Sequence, residues 1–307
     1  MTDKRVAACI AAGESLWANP LVPVGDVSAV RRAVIAFQQA GAFPLVVVTD
    51  RDDKDLKAHL ANRGIVFLRH DEPGPHELFD SVKLGFSFLA PMCDYVAFAP
   101  VNTPVFSVDT VRRLVEACEQ TAQPSYQGHS GHPVVVSSEA VPEVLAYQGP
   151  AGLRGAIRSL SGRRWVDVDE ESVTATVFDD DVIERALPAN DAQLVRPVIR
   201  MTLERDEAFC DERTKLLLFL VEQTGNLRRS CDLMALSYAK GWSLVNELED
   251  AVGFAVVNRR RGGAQGGATQ LTDQGARFLH AYLRLERGVL EHAQRRFDEE
   301  LAGILRG

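Results

Sequence analysis

The sequence predicts two fold classes in one chain. The first part is an α/β domain on a mostly parallel sheet. The second is an α-rich domain with the order of a winged helix-turn-helix and a long final helix. Three observations carry this. Short strand-like runs alternate with helical spacing over the first two hundred residues. Residues 227–271, LRRSCDLMALSYAKGWSLVNELEDAVGFAVVNRRRGGAQGGATQL, read as helix, turn, helix and basic glycine-rich hairpin. From Thr272 an apolar stripe runs almost to the end.

A length of 307 residues suits two domains. The expected division is residues 1–190, a linker at 191–210, and a second domain at 211–307. Hydrophobic content of 46% and charged content of 25% are those of a soluble globular protein. No apolar run reaches the ~18 residues of a membrane span. The start, MTDKRVAACIAAGE, has too short an apolar stretch and too early an acid for a signal peptide. Five scattered cysteines without a C-x-x-C pair imply reduced thiols and a cytoplasmic location. The net charge of −8 is uneven: from Asp211 onward 14 basic and 13 acidic residues give +1, and the rest carries −9. An acidic whole argues against nonspecific nucleic-acid binding, whereas a local basic hairpin is compatible with specific binding.

In chain order, residues 6–10, 45–48, 65–68 and 95–99 are the expected strands, rich in Val, Ile and aromatics. Residues 28–40, 52–62 and 76–89 between them have helical spacing. Such alternation implies right-handed βαβ units, with ligands at the carboxyl ends of the strands. The first strand ends in IAAGES, residues 10–15. Small residues let backbone N–H groups approach a phosphate or base, and a tight turn alone would look the same. Downstream come ELFDSVKLGF (77–86), DYVAFAPVNTPVFS (94–107), GHSGHPVVVS (128–137) and VFDDDVIERAL (177–187).

In that order these segments, over about residues 5–187, resemble the MobA/MocA-like nucleotidyltransferases of molybdenum-cofactor synthesis. The resemblance implies a Rossmann-like, nucleotidyltransferase-like sheet and a nucleotide held by Ala11, Ala12, Gly13 and Ser15, with Ser81 on the following helix. His132 of Gly131-His132-Pro133 would lie beside the substrate, though a His before Pro is also an ordinary turn. Asp179, Asp180 and Asp181 match the family's late acidic segment, which would make Asp179 and Asp181 metal ligands; they equally suit a helix N-terminus. His129 and His132 lack further ligands for zinc, and Lys83 reads as a solvated residue of its helix.

Three departures weaken the chemistry. The family's triphosphate Arg is Trp17, its Lys is replaced by Asn19 in a shortened loop, and its Mg²⁺-binding Asp is Asn102. Phosphoryl transfer relies on positioned cations, so the resemblance implies a domain without catalytic residues. Mg²⁺ and CTP or GTP are expected only if it remains an enzyme.

Beyond the segment at 187–190, read as a link, residues 195–204 are expected to form a strand. Residues 214–224 form a helix striped by Leu217, Leu220 and Val221. Gly225-Asn226 ends it and caps a short helix packing Cys231 and Met234 inward. Ser237 caps the next helix, placing Tyr238 and Lys240 in its first turn, where a recognition helix meets DNA. Trp242, Val245 and Leu248 are expected as its buried face. Arg259, Arg260 and Arg261 offer phosphate contacts, or merely solubilise a loop. This part, from about Arg200 onward, resembles the DNA-binding domain of ModE-like, LysR-related regulators. Ser230-Cys231 stands where that family has a small Ala pair. The stripe Leu279, Leu283, Leu290, Ala293, Phe297, Leu301 and Leu305 suits packing against a second copy, or against the chain's own first domain.

Taken together, the expectation is a cytoplasmic DNA-binding regulator of molybdenum-cofactor metabolism. It would be a homodimer on double-stranded DNA, with a nucleotide or molybdopterin-type ligand and no membrane. The alternatives are an active nucleotidyltransferase of molybdopterin-dinucleotide synthesis and a scaffold with neither activity.

Overall fold

The computed structural model describes residues 4–13, 19–71, 76–259 and 269–305. They divide into two compact units, Met1–Leu60 with Ile65–Val195, and Ala61–Gly64 with Arg196–Gly307.

The first unit begins with β1 (Val6–Ala11), the small hairpin β2 (Pro23–Val24) and β3 (Val27–Ser28), α1 (Ala29–Gln39), β4 (Leu45–Thr49), α2 (Lys54–His59) and β5 (Ile65–Arg69). It continues through α3 (Leu78–Leu89), β6 (Tyr95–Pro100), α4 (Val108–Ala117), β7 (Thr121–Tyr126), β8 (His129–Ser130) and β9 (Val134–Ser137). It ends with α5 (Val141–Ala146), α6 (Gly152–Ser159), β10 (Arg163–Asp167) and α7 (Asp180–Ala192). The main sheet runs β10-β7-β9-β6-β1-β4-β5, with β8 paired to β7. β5, β4, β1 and β6 are mutually parallel, whereas β9 lies antiparallel between β6 and β7. The mostly parallel α/β sheet is as expected; the antiparallel insertion of β9 is not visible in the strand composition.

All six residues of β1 are buried, as are all five of β4. Such continuous apolar strands form where helices cover both faces of a sheet. The chain leaves β1 for β4 and β5 on one side, then returns to place β6 on the other. That reversal opens a crevice beyond the carboxyl ends of β1 and β6, where ligands of open α/β sheets collect.

The sequence reads residues 187–190 as a link, but they form the last turns of α7, with Pro188 inside the helix. The reason is a buried arginine. Arg32 of α1, 1% exposed, donates to Asn190 Oδ1 at 2.5 Å and to the Val24 carbonyl at 2.5 Å, and pairs with Asp191 at 2.6 Å. A buried guanidinium left without these partners is costly, which anchors the end of α7.

The second unit holds β11 (Leu203–Glu204), β12 (Ala208–Cys210), α8 (Glu212–Thr224), α9 (Leu227–Leu233), α10 (Tyr238–Val252), β13 (Val257–Arg259), β14 (Thr269–Leu271), α11 (Asp273–Glu300) and α12 (Ala302–Leu305). The strand expected over 195–204 shrinks to the two residues of β11, paired with β12. The helix boundaries follow local chemistry. Asp211 caps α8, Gly225 ends it at φ 64°, Asn226 caps α9, and Ser237 caps α10 by accepting from the Lys240 amide. α9 and α10 pack closely at Gly241, where a Cβ would lie 2.2 Å from Cys231 Sγ. A Cβ at Gly275, in the first turn of α11, would lie 2.2 Å from the Val256 carbonyl oxygen. Lys215 of α8 is tied to both carboxylate oxygens of Glu286 on α11, at 2.7 and 2.9 Å. No helix among the described residues is long and apolar enough to cross a membrane.

Candidate functional site

At the β1–β6 crevice, Ala11, Ala12 and Gly13 are buried. Backbone bonds fix this turn: the Ala12 amide donates to the Val48 carbonyl and the Val101 amide to the Ala11 carbonyl, both at 2.8 Å. A Cβ at Gly13 would lie 2.8 Å from Asp50 Oδ2, so a larger residue there would require the Asp50 carboxylate to move. Asn102 follows β6, and its Oδ1 is buried with no hydrogen-bond partner among the described residues. Such an orphaned acceptor costs about 1–3 kcal/mol, which a donor on a ligand would recover. Asn19 is exposed and accepts the Leu21 amide at 2.9 Å, so the position expected to carry a cation is a local turn. Ser15 and Trp17 lie outside the described residues.

Ser81, on α3, is buried, and its hydroxyl lies 3.2 Å from His70 Nε2. His70 directly follows β5 and stacks on His76 with ring centroids 3.8 Å apart. His76 Nδ1 lies 3.8 Å from Oδ1 of Asp50, which directly follows β4. Burial, and then the neighbouring His76, hold the His70 pKa below the ordinary histidine value. Sequence reasoning missed Asp50, His70 and His76. The available signal was their place, two of them one residue beyond the ends of adjacent parallel strands. Lys83, one turn away, pairs with Asp80 at 3.5 Å and caps the Phe79 ring.

His132 meets Phe98 edge-on, with centroids 5.9 Å apart, and its amide donates to the Val173 carbonyl. Desolvation pushes its pKa down to about 4, so the ring is neutral at pH 7. Gly131 beside it has no room for a Cβ, which would fall 2.1 Å from the Val173 carbonyl oxygen. Asp179 accepts from the amide and hydroxyl of Thr176 at 2.7 and 2.8 Å, which lowers its pKa and closes the start of α7. Asp181 is exposed in the first turn of that helix. Among the described residues, the grouping of side chains able to hold a metal is Asp50, His70 and His76.

In the second unit two rings flanked by two arginines form a run across three elements. The Arg228 guanidinium of α9 lies 4.3 Å from the Tyr238 ring centroid. Tyr238 meets Trp242 edge-on at 6.1 Å, and Arg259 of β13 lies 4.6 Å from the Trp242 centroid. Trp242 is therefore half-buried beneath an arginine, rather than core like Val245 and Leu248. Arg259 is held from the other side by Asn246 at 2.7 Å and Glu249 at 2.9 Å. Glu249 also accepts the Val256 and Val257 amides, locking α10 to β13. Ser237 is exposed, Tyr238 is 39% exposed, and Lys240 reaches Glu247 at 3.7 Å. Arg228 and Arg229, both exposed, were missed as site residues. Arg260 and Arg261 lie outside the described residues.

α11 buries Leu279 and Tyr282 in its first half but exposes Leu285, Val289 and Leu290 further on. Leu285 and Val289, with Arg284, Gly288, His292 and Ala293, border a shallow apolar groove.

The chain is 34% identical over 113 residues to the molybdenum transport protein ModE of Azotobacter vinelandii, covering 35% of this chain and 42% of that protein. It is 30% identical over 125 residues to the molybdenum transport protein ModE of Herbaspirillum seropedicae, covering 39% and 45%. The chain thus spans less than half the length of these relatives. A nucleotidyl transferase from Methanothermobacter thermautotroptrophicus superimposes with a TM-score of 0.50 at 18% identity, over 63% of this chain and 99% of that one. That likeness shows a shared fold. Residues 17–165 match the family model of the MobA-like NTP transferase domain.

Proposed function

We propose that the chain is a DNA-binding transcriptional regulator linked to molybdenum-cofactor metabolism, acting in the cytoplasm. Its MobA-like domain serves as a ligand sensor or partner-binding module. The observation that carries this reading is the Arg228–Tyr238–Trp242–Arg259 run, which joins α9, α10 and β13 beside the capped start of α10. In this reading α9 and α10 are the helix-turn-helix and β13–β14 the wing. Tyr238 and Lys240 meet base edges in the major groove, while Arg228, Arg259, Arg260 and Arg261 contact phosphates. The names of the ModE relatives supply the molybdenum link. A homodimer through the exposed face of α11 would present two such heads to a double-stranded site.

The orphaned Asn102 oxygen beside Ala11-Ala12-Gly13 supports a nucleotide or molybdopterin-type ligand rather than turnover. A neutral amide stands where the reaction needs a carboxylate for Mg²⁺, and Asn19 stands where it needs a cation. The decisive experiment maps bound DNA across the native genome, then measures binding to a recovered site over a salt series. Tyr238→Ala should flatten discrimination between sites. Replacing Arg259, Arg260 and Arg261 with Ala should weaken all duplexes alike and lower the salt slope by about 2–3. No enriched sites, with nucleotide transfer from CTP or GTP to molybdopterin, would favour the enzyme instead.

A further inference from the structure

The carboxyl ends of β4 and β5 bring together three side chains that the regulator reading does not use. Asp50 follows β4, His70 follows β5, and His76 stands two residues before α3. One ligand atom from each lies within 4.8 Å of the others. Bonds of ~2.0–2.2 Å to a tetrahedral ion put ligand atoms roughly 3.4 Å apart. Closing the three onto one ion would draw these atoms together and turn one imidazole out of its stack on the other, because the in-plane lone pairs of parallel rings do not converge. The two imidazoles lie face to face, with rings 10° from parallel. Ser81 Oγ, 3.2 Å from His70 Nε2, orients that ring from behind, as partners of metal-bound histidines do.

We propose that Asp50, His70 and His76 form a binding site for a divalent transition-metal ion of the Zn²⁺ class, beside the Ala11-Ala12-Gly13 turn. Two imidazoles and one carboxylate suit a borderline ion and not Mg²⁺, which takes oxygen ligands in octahedral geometry. Three protein ligands leave a coordination position open, as in zinc sites that bind an exchangeable group. The Asp50 carboxylate touches the space that a Gly13 side chain would fill. This carboxylate ligand therefore adjoins the turn at the head of the crevice, and an anionic oxygen of a ligand held there is a candidate to complete the shell. This would supply a positive charge to a crevice in which Asn102 offers a neutral amide and no carboxylate. The inference stands independently of DNA binding.

The test uses the full chain without an affinity tag. Zn²⁺ titration by calorimetry should give one ion per chain with a micromolar or tighter Kd. Co²⁺ should give visible d–d bands without a thiolate charge-transfer band, because the grouping holds no cysteine. His70→Ala with His76→Ala should abolish the stoichiometric site. Ser81→Ala should weaken it about tenfold. Asp50→Asn and His76→Gln preserve shape and keep the test valid should the alanine pair unfold; either should weaken Zn²⁺ at least tenfold with an unchanged far-ultraviolet spectrum. No stoichiometric binding, unaltered affinity in these variants, or a thiolate band would overturn the site.

Discussion

Replacing Lys215 with Met tests how α11 is held on α8. The ammonium is 2.7 and 2.9 Å from the two Glu286 oxygens, and the side chains are 6% and 17% exposed. At an effective dielectric near 20, unit charges about 2.7 Å apart attract by roughly 6 kcal/mol, most of it offset by desolvation. Removing one partner is different, because a buried carboxylate then stands alone. Lys215→Met should cost about 3–5 kcal/mol, whereas Lys215→Met with Glu286→Leu should return to within about 1 kcal/mol of the parent. The pH dependence has a definite sign. Burial raises the Glu212 pKa; Lys215 lowers it and Glu286 raises it. Without Lys215, Glu212 binds a proton more readily in the folded than in the unfolded chain, so the loss should shrink as pH falls. Urea unfolding read from Trp242 alone, in a Trp17→Phe, Trp165→Phe background, isolates the second unit. Additive single losses in the double variant would refute the reasoning, since two independent sites add and a buried pair does not.

Gly275→Ala should destabilise the second unit by about 1–3 kcal/mol despite alanine's better helix propensity, since the Cβ meets backbone rather than a movable side chain; a thermal melt checks this. With a folded pKa of about 4 against an ordinary 6.5, His132 contributes stability that is full above about pH 6.5 and lost as pH falls toward 4, at most about 3 kcal/mol. His132→Gln should flatten that acid limb of the first unit's unfolding curve. Leu285→Glu with Leu290→Glu should release monomers in light scattering, and a parent already monomeric at micromolar concentration would end the dimer proposal. Asn102→Asp should strengthen Mg²⁺ binding without producing nucleotide transfer to molybdopterin, because one carboxylate does not replace the cationic clamp; pyrophosphate release would contradict this.

Much of the architecture was legible because it rests on local chemistry. Alternating apolar runs marked β1, β4, β5 and β6 to within a residue at each end, and Asn226 and Ser237 each marked a helix start by capping an amide. The substitutions Asn19 and Asn102 were also readable, since a side chain's chemistry needs no coordinates. Contacts between distant segments were not. Nothing local in VVVS says that β9 enters antiparallel between β6 and β7. The end of α7 is tied to the first unit by long-range contacts, chief among them Arg32, 158 residues earlier, buried against Asn190. Trp242 fits a helical stripe, yet Arg259 from the hairpin covers it. Asp50, His70 and His76 lie 20 and 6 residues apart with no motif among them. They meet because parallel pairing of β4 and β5 sets both strand ends at one edge, a long-range consequence of sheet order that residue spacing does not encode.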